Sequence, residues 1–93
     1  MEHILHFRLV LPSGLFKECD CTSVFFTAKD NENGENGGGV GIKPGHTNMI
    51  SVISDPGTLK IKTENEAIEY KLSGGFLEVK DNIVTVLTEK TPN

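Results

Sequence analysis

From Ile4 to Leu11 the chain alternates, with Leu5, Phe7, Leu9 and Leu11 on one side and His6, Arg8 and Val10 on the other, the period of a half-buried strand. Pro12-Ser13-Gly14 supplies a turn, proline setting φ and glycine free to take positive φ. Leu15-Phe16 begins the return. Cys19 to Thr27 reads as the next strand, and the consecutive apolar residues Val24, Phe25 and Phe26 predict a bulge or burial on both faces. Met49 to Ile53 and Leu59 to Thr63 are short strands on either side of a turn at Asp55-Pro56-Gly57. Ile68, Tyr70 and Leu72 then alternate with Glu69 and Lys71, which puts charge on one face of a further strand. After an interruption at Gly74-Gly75, Phe76 to Lys80 and Ile83 to Thr88 form a hairpin around Asp81-Asn82, residue types that tolerate the left-handed conformation of a tight turn.

Short strands joined by Gly, Pro and Asn turns, with no sustained 3.6-residue period, predict an all-β fold, a sandwich or barrel. No composition shift divides the chain, so residues 1–93 are expected to form a single domain. The stretch from Lys29 to Gly41 is rich in Asn, Glu and Gly, and reads as a solvated, flexible acidic loop. A chain of 93 residues has a modest core, and such domains gain stability by docking on a partner, since buried apolar surface contributes about 25 cal/mol per Å².

Net charge is −4 and Arg8 is the only arginine among nine basic residues, so no basic stripe points to nucleic acid. No apolar run approaches the roughly 20 residues of a membrane-spanning helix. Cys19 and Cys21 stand two apart, too close for an unstrained disulfide, and read as two reduced thiols. Joining them with His3 and His6 as metal ligands finds no support, because His3 and His6 fall on opposite sides of a strand. Asp30, Glu32 and Glu35 lack calcium-loop spacing, since the twelfth position is Gly41. Gly37-Gly38-Gly39 lacks the Lys-Ser/Thr of a phosphate loop. His46 has no neighbouring nucleophile, which makes it a poor general base. These residues predict no catalysis, no cofactor and no metal.

Two glycine-punctuated stretches carry more information: Gly41-Ile42-Lys43-Pro44-Gly45-His46, and Ser73-Gly74-Gly75-Phe76-Leu77-Glu78-Val79 followed by Val84-Thr85-Val86-Leu87. With the intervening Pro56-Gly57-Thr58-Leu59-Lys60-Ile61, their order and spacing resemble the amino-terminal β-sandwich domain of the epsilon subunit of F-type ATP synthases. The resemblance covers about Phe7 to Thr88. It implies a two-sheet β-sandwich of about ten short strands and a non-catalytic rotor subunit of the central stalk. Its partners would be the gamma subunit and the c-ring, on the cytoplasmic face of the membrane, coupling proton-driven rotation to ATP synthesis or hydrolysis. Carried over to this sequence, the interface candidates are His46, Gly41, Lys43, Gly45, Glu35 and Phe76.

The chain departs from the family's pattern in several places. Gly39 occupies the position of an acidic contact with the rotor ring, for which Glu35 or Glu32 would have to substitute, and Lys43 stands where an apolar or aromatic residue is common. The sequence stops at Asn93, before the carboxy-terminal helical pair usual in the family, so neither a helical brake nor a nucleotide site is expected. The rival reading is a free-standing β-sandwich that binds a peptide or carbohydrate; a lack of Trp and a single Tyr count against it. A second rival is a redox or metal-handling protein built on Cys19 and Cys21.

Overall fold

The computed structural model describes residues 4–29 and 38–92. Among these residues there are nine strands and no helix: β1 (Leu5–Leu11), β2 (Gly14–Cys21), β3 (Ser23–Ala28), β4 (Gly38–Ile42), β5 (Met49–Ile53), β6 (Gly57–Lys62), β7 (Ala67–Leu72), β8 (Gly75–Lys80) and β9 (Ile83–Leu87). The all-β expectation holds, with nine strands in place of about ten. The hydrogen-bonded path is continuous, in the order β2-β1-β9-β8-β5-β3-β6-β7, with β4 on β3. It folds into two leaves, β2-β1-β9-β8-β5 and β4-β3-β6-β7, joined where β3 leaves β6 and reaches β5 through the single pair Ala28 and Ile53. The two sheets of the expected sandwich are therefore two halves of one curled sheet. The pairing is antiparallel throughout except between β1 and β9, which run parallel.

Both leaves turn their apolar faces inward. Leu5, Phe7 and Leu9 of β1, Leu77 and Val79 of β8, and Val84 and Val86 of β9 meet Val24 and Phe26 of β3, Ile42 of β4 and Leu59 and Ile61 of β6 in one buried cluster. At the open side, the Phe16 ring meets Tyr70 edge-on with centroids 6.3 Å apart, which brings edge strands β2 and β7 together.

The segment from Cys19 to Thr27 is two strands, contrary to the single strand read from it. Cys19 and Cys21 face the core from one leaf, whereas Val24 and Phe26 face it from the other. The inward parity changes from odd to even positions between Cys21 and Val24, so the chain must turn a corner there. Thr22 makes that corner, its N–H and Oγ1 both donating to the Lys62 carbonyl, at 2.7 and 3.0 Å. With parity reset, Phe25 points outward and is 37% exposed, so β3 has no bulge and is not buried on both faces; the register shift lies instead at Leu9/Val10 against β2. A second corner is tied by Thr27: its carbonyl accepts from Ser54 N–H at 2.9 Å, and its Oγ1 accepts from Thr58 N–H at 2.9 Å.

Positions 38–41 of the stretch read as loop belong to β4, where alternation is hard to see because Gly38, Gly39 and Gly41 offer no side chain to alternate. Asp30 to Gly37, including Glu32 and Glu35, lie outside the described residues. The hairpin turn falls at Asp81 and Asn82, with φ of 51° and 65°, as the residue types predict.

Candidate functional site

The outward face of the five-stranded leaf carries three cross-strand rows. One row is apolar: Val52 pairs with Phe76, Phe76 with Leu87, Leu87 with Val10, and Val10 with Leu15. Four inter-strand steps of about 4.8 Å make it about 19 Å long. Phe76 is 55% exposed, with Val52, Leu87 and Leu15 also exposed, and Ile50 extends the patch along β5 at 73%. The next row is polar past Ile50: Glu78, Thr85, Arg8 and Glu18. The third runs Lys80, Ile83, His6 and Asp20. A contiguous apolar row bounded on one side by charge is the surface signature of a binding site.

Two clefts flank Phe76 and share Ser73, Gly74, Gly75 and Phe76 itself. One, of about 340 Å³, opens toward Val10, Leu11, Pro12 and Leu87 and is mostly apolar. The other, of about 560 Å³, opens toward Lys29, Ser54 and Asp55 and is more polar. The backbone of the first is braced by Thr88, whose Oγ1 donates to the Gly74 carbonyl at 3.1 Å and whose N–H donates to the Val10 carbonyl at 3.1 Å.

The Gly41-to-His46 segment lies at the other end of β8. Lys43-Pro44-Gly45-His46 is a turn closed by His46 N–H to the Lys43 carbonyl at 3.1 Å, and Gly45 takes the φ of 87° that a type II turn requires. The turn is fastened to the β8–β9 hairpin: Gly45 N–H donates to Asn82 Oδ1 at 2.8 Å, and Asp81 N–H to Asn48 Oδ1 at 3.0 Å. His46 Nδ1 donates to the Thr47 carbonyl at 2.8 Å, which leaves the Nε2 lone pair available in the neutral ring. Gly41 sits in β4 opposite Phe25. Lys43, Gly45 and His46 thus form one surface, while Phe76 belongs to another, beyond the length of β8; Phe76 and Lys80 alone are about 13 Å apart at 3.3–3.4 Å per residue. Glu35 lies outside the described residues.

The structure buries Leu77 and Val79 and exposes Phe76. Val10, Val52 and Leu87 joined the site only in the structure. The available signal was Val10, an apolar residue on the otherwise polar side of β1.

Among the described residues the rival chemistries lack a constellation. Cys21 is buried, and burial, followed by the neighbouring Cys19 and Asp20, pushes its thiol up to about 11, which leaves it a poor nucleophile at neutral pH. His6 projects from the opposite face of β1 to that packed against the cysteines, so the two residue types do not converge; His3 lies outside the described residues. The exposed phenylalanines are scattered: Phe16 at the β2–β7 seam, Phe25 on the outer face of the other leaf under Lys60, and Phe76 in the row. Among the described residues no aromatic platform for a sugar results.

His6 bridges two carboxylates, with Nδ1 at 3.0 Å from Asp20 and Nε2 against Glu18. Hydrogen bonds to Asp20 first and Glu18 second raise its pKa above the ordinary value of about 6.5. A raised folded-state pKa stabilises fully below the unfolded value and is lost as pH rises through the folded one. His6→Gln is therefore expected to be less stable than wild type at pH 6 and equal to it at pH 9. Because the cluster is exposed to solvent the difference is small, about 0.5 kcal/mol, and urea melts at both pH values measure it.

Fold and surface define a class: a small β-sandwich, helix-free among its described residues, whose distinctive feature there is an exposed apolar row rather than a cluster of reactive groups. The particular family follows from comparison, for the chain belongs to the β-sandwich domain family of the ATP synthase delta/epsilon chain, whose family model matches residues 4–92. It is 31% identical over 88 residues to the ATP synthase epsilon chain of Caldanaerobacter subterraneus subsp. tengcongensis, covering 95% of this chain and 59% of that one. It is 44% identical over 54 residues to the epsilon chain of Psychrobacter arcticus, covering 56% and 38%. In fold it is similar to a chain in the cryo-EM structure of the Euglena gracilis mitochondrial ATP synthase, with a TM-score of 0.77 at 22% identity, covering 99% of this chain and 55% of that one. A chain of the Tetrahymena thermophila mitochondrial ATP synthase central stalk and c-ring gives 0.66 at 23% identity, covering 92% and 63%. The chain thus spans between 38% and 63% of the length of these relatives.

Proposed function

We propose that this chain acts as a rotor subunit in the central stalk of an F-type ATP synthase, docking on the gamma subunit and the c-ring and performing no chemistry itself. The apolar row that contains Phe76, on a domain of this family, carries the assignment. A surface of that length held in water is costly, and a partner that covers it recovers about 25 cal/mol per Å². The solved structures it resembles in fold are of a central stalk with its c-ring and of an assembly that includes the c-ring, which supports a stalk position, and in this reading the row is the surface that faces gamma. The turn presenting Lys43, Gly45 and His46, fastened to Asp81 and Asn82, is the c-ring-facing end, with Gly41 leading into it along β4 and Glu35 in the preceding segment. Its fastening suits a coupling element, because torque passes through a turn held at two points better than through a loose one. The chain would then sit at the membrane periphery through its partners, on the cytoplasmic face, and couple proton-driven rotation to ATP synthesis or hydrolysis.

Co-expression with the cognate gamma subunit and c-ring tests this. The wild-type chain is expected to co-purify with gamma; failure to do so where the other subunits assemble would overturn the assignment. Phe76→Asp is expected to weaken gamma binding by on the order of 100-fold, as replacing an aromatic anchor with a charge does. Its melting temperature should stay close to wild type, because Phe76 is more than half exposed.

A further inference from the structure

We propose that Phe25 is a positioning residue for the c-ring-facing turn: its ring, seated on the bare backbone of Gly39, braces edge strand β4 and so fixes where Lys43, Gly45 and His46 stand. The inference rests on the rotor assignment. It adds a residue on the opposite leaf to Phe76 that acts on the coupling end through β4.

β4 is poorly held by its own side chains. Three of its five residues, Gly38, Gly39 and Gly41, are glycines, whose backbone loses the most freedom on ordering and brings no side chain to pack. Among the described residues it pairs with β3 alone, so its other edge is open. Val40 and Ile42 pin its inner face to the core. Its outer face needs a side chain from elsewhere.

Phe25 provides it. In register it stands opposite Gly41, and its ring leans along β4 over Gly39, where an added Cβ would collide with the ring atoms Cε1 and Cζ. The ring thus fills the volume that a side chain at position 39 would take, the arrangement by which an aromatic residue rescues a glycine on a neighbouring strand. On the other flank Lys60, opposite Phe25 on β6, brings Nζ to 5.7 Å from the ring centroid, within range of a cation–π contact. The ring is therefore held between β4 and β6. Position 39 takes a side chain of any charge only if the ring moves away, so Phe25 and Gly39 work as one unit.

The brace reaches the turn because β4 runs straight into it. Ile42 ends the strand, and Lys43-Pro44-Gly45-His46 follows with no residue between. The turn is already fastened to the β8–β9 hairpin through Asn82. With the ring in place it is held from the β4 side as well. Without the ring, two inward side chains on a strand of glycines are left to hold that side, and a contact surface loses precision when its support is loose.

Removing the ring and evicting it test the brace in two ways. Phe25→Ala takes the ring away, Gly39→Thr leaves it in the chain but displaces it, and Phe25→Tyr keeps it in place as the conservative control. Phe25 is exposed and outside the buried core, so each variant is expected to stay folded, which thermal melts check. In the isolated chain, amides of β4 bonded to β3 are expected to exchange about 5-fold faster in Phe25→Ala and Gly39→Thr, the upper range for losing one aromatic cross-strand pair, and at the wild-type rate in Phe25→Tyr. In pull-down titrations c-ring affinity should fall by a similar factor in the same two variants, with gamma affinity unchanged because Phe76 lies on the other leaf. The double variant Phe25→Ala/Gly39→Thr should recover both readouts, since a β-branched residue stiffens the strand once no ring covers it. Unchanged β4 exchange in Phe25→Ala overturns the brace and leaves the rotor assignment standing. Faster exchange with c-ring affinity intact overturns the positioning role, and so do equal losses of gamma and c-ring binding, which would show general loosening. A wild-type chain that binds no c-ring overturns the assignment and the positioning role together.

Discussion

Phe7→Ala is expected to destabilise the domain by about 4 kcal/mol, within the range for removing a fully buried phenylalanine. Phe7 lies on central strand β1, between β2 and β9, with no exposed surface. It is one of the two largest fully buried side chains, and truncating it leaves a cavity that the flanking strands cannot close without breaking their ladders. Against a total stability of about 5–15 kcal/mol, that loss leaves a marginal protein. With a urea slope of roughly 1 to 1.5 kcal/mol per molar for a chain this size, the midpoint should fall by about 3 M. A fall below about 1 M would show that the two leaves close over the void.

Gly75→Ala is expected to cost about 3 kcal/mol although it adds a single methyl group. Two penalties act together. A side chain at φ 136° is strained at about 1–3 kcal/mol, and a Cβ 2.4 Å from the Leu87 carbonyl oxygen must push β8 from β9. The atom in the way is backbone, so no rotamer change relieves it. Thermal melting should drop by at least about 12 °C, at 4–8 °C per kcal/mol for a domain of this size. A drop under 4 °C would mean that the β7–β8 connection shifts to accept the methyl. Neighbouring Phe76, larger but outward, should tolerate alanine with a smaller change in stability, because more than half of its surface stays in water on folding.

The strands themselves were legible wherever side chains alternate. β1, β5, β8 and β9 fall within a residue or two of their sequence-read bounds because a half-buried strand writes its period into the chain. The turns were legible for a local reason too: Asp81-Asn82 and Pro44-Gly45 hold conformations that few other residue pairs accept. The corner at Thr22 was written in the sequence as a change of inward parity, and was misread because three apolar residues in a row obscured it. β4 was not legible, since glycines carry no pattern.

Alternation and turn chemistry thus determined the all-β class, while the order and spacing of the motifs at Gly41–His46, Pro56–Ile61 and Ser73–Val79 carried the family resemblance. Tertiary structure alone decided that Phe76 belongs with Val10, Val52, Leu87 and Leu15 in one exposed row, apart from His46, and that a braced cleft lies beside it. Pairing is the reason. Which residues share a face within a strand follows from a period of two, but which strands lie side by side depends on long-range contacts between segments up to seventy or more residues apart, such as Val10 and Leu87, and no local pattern records them.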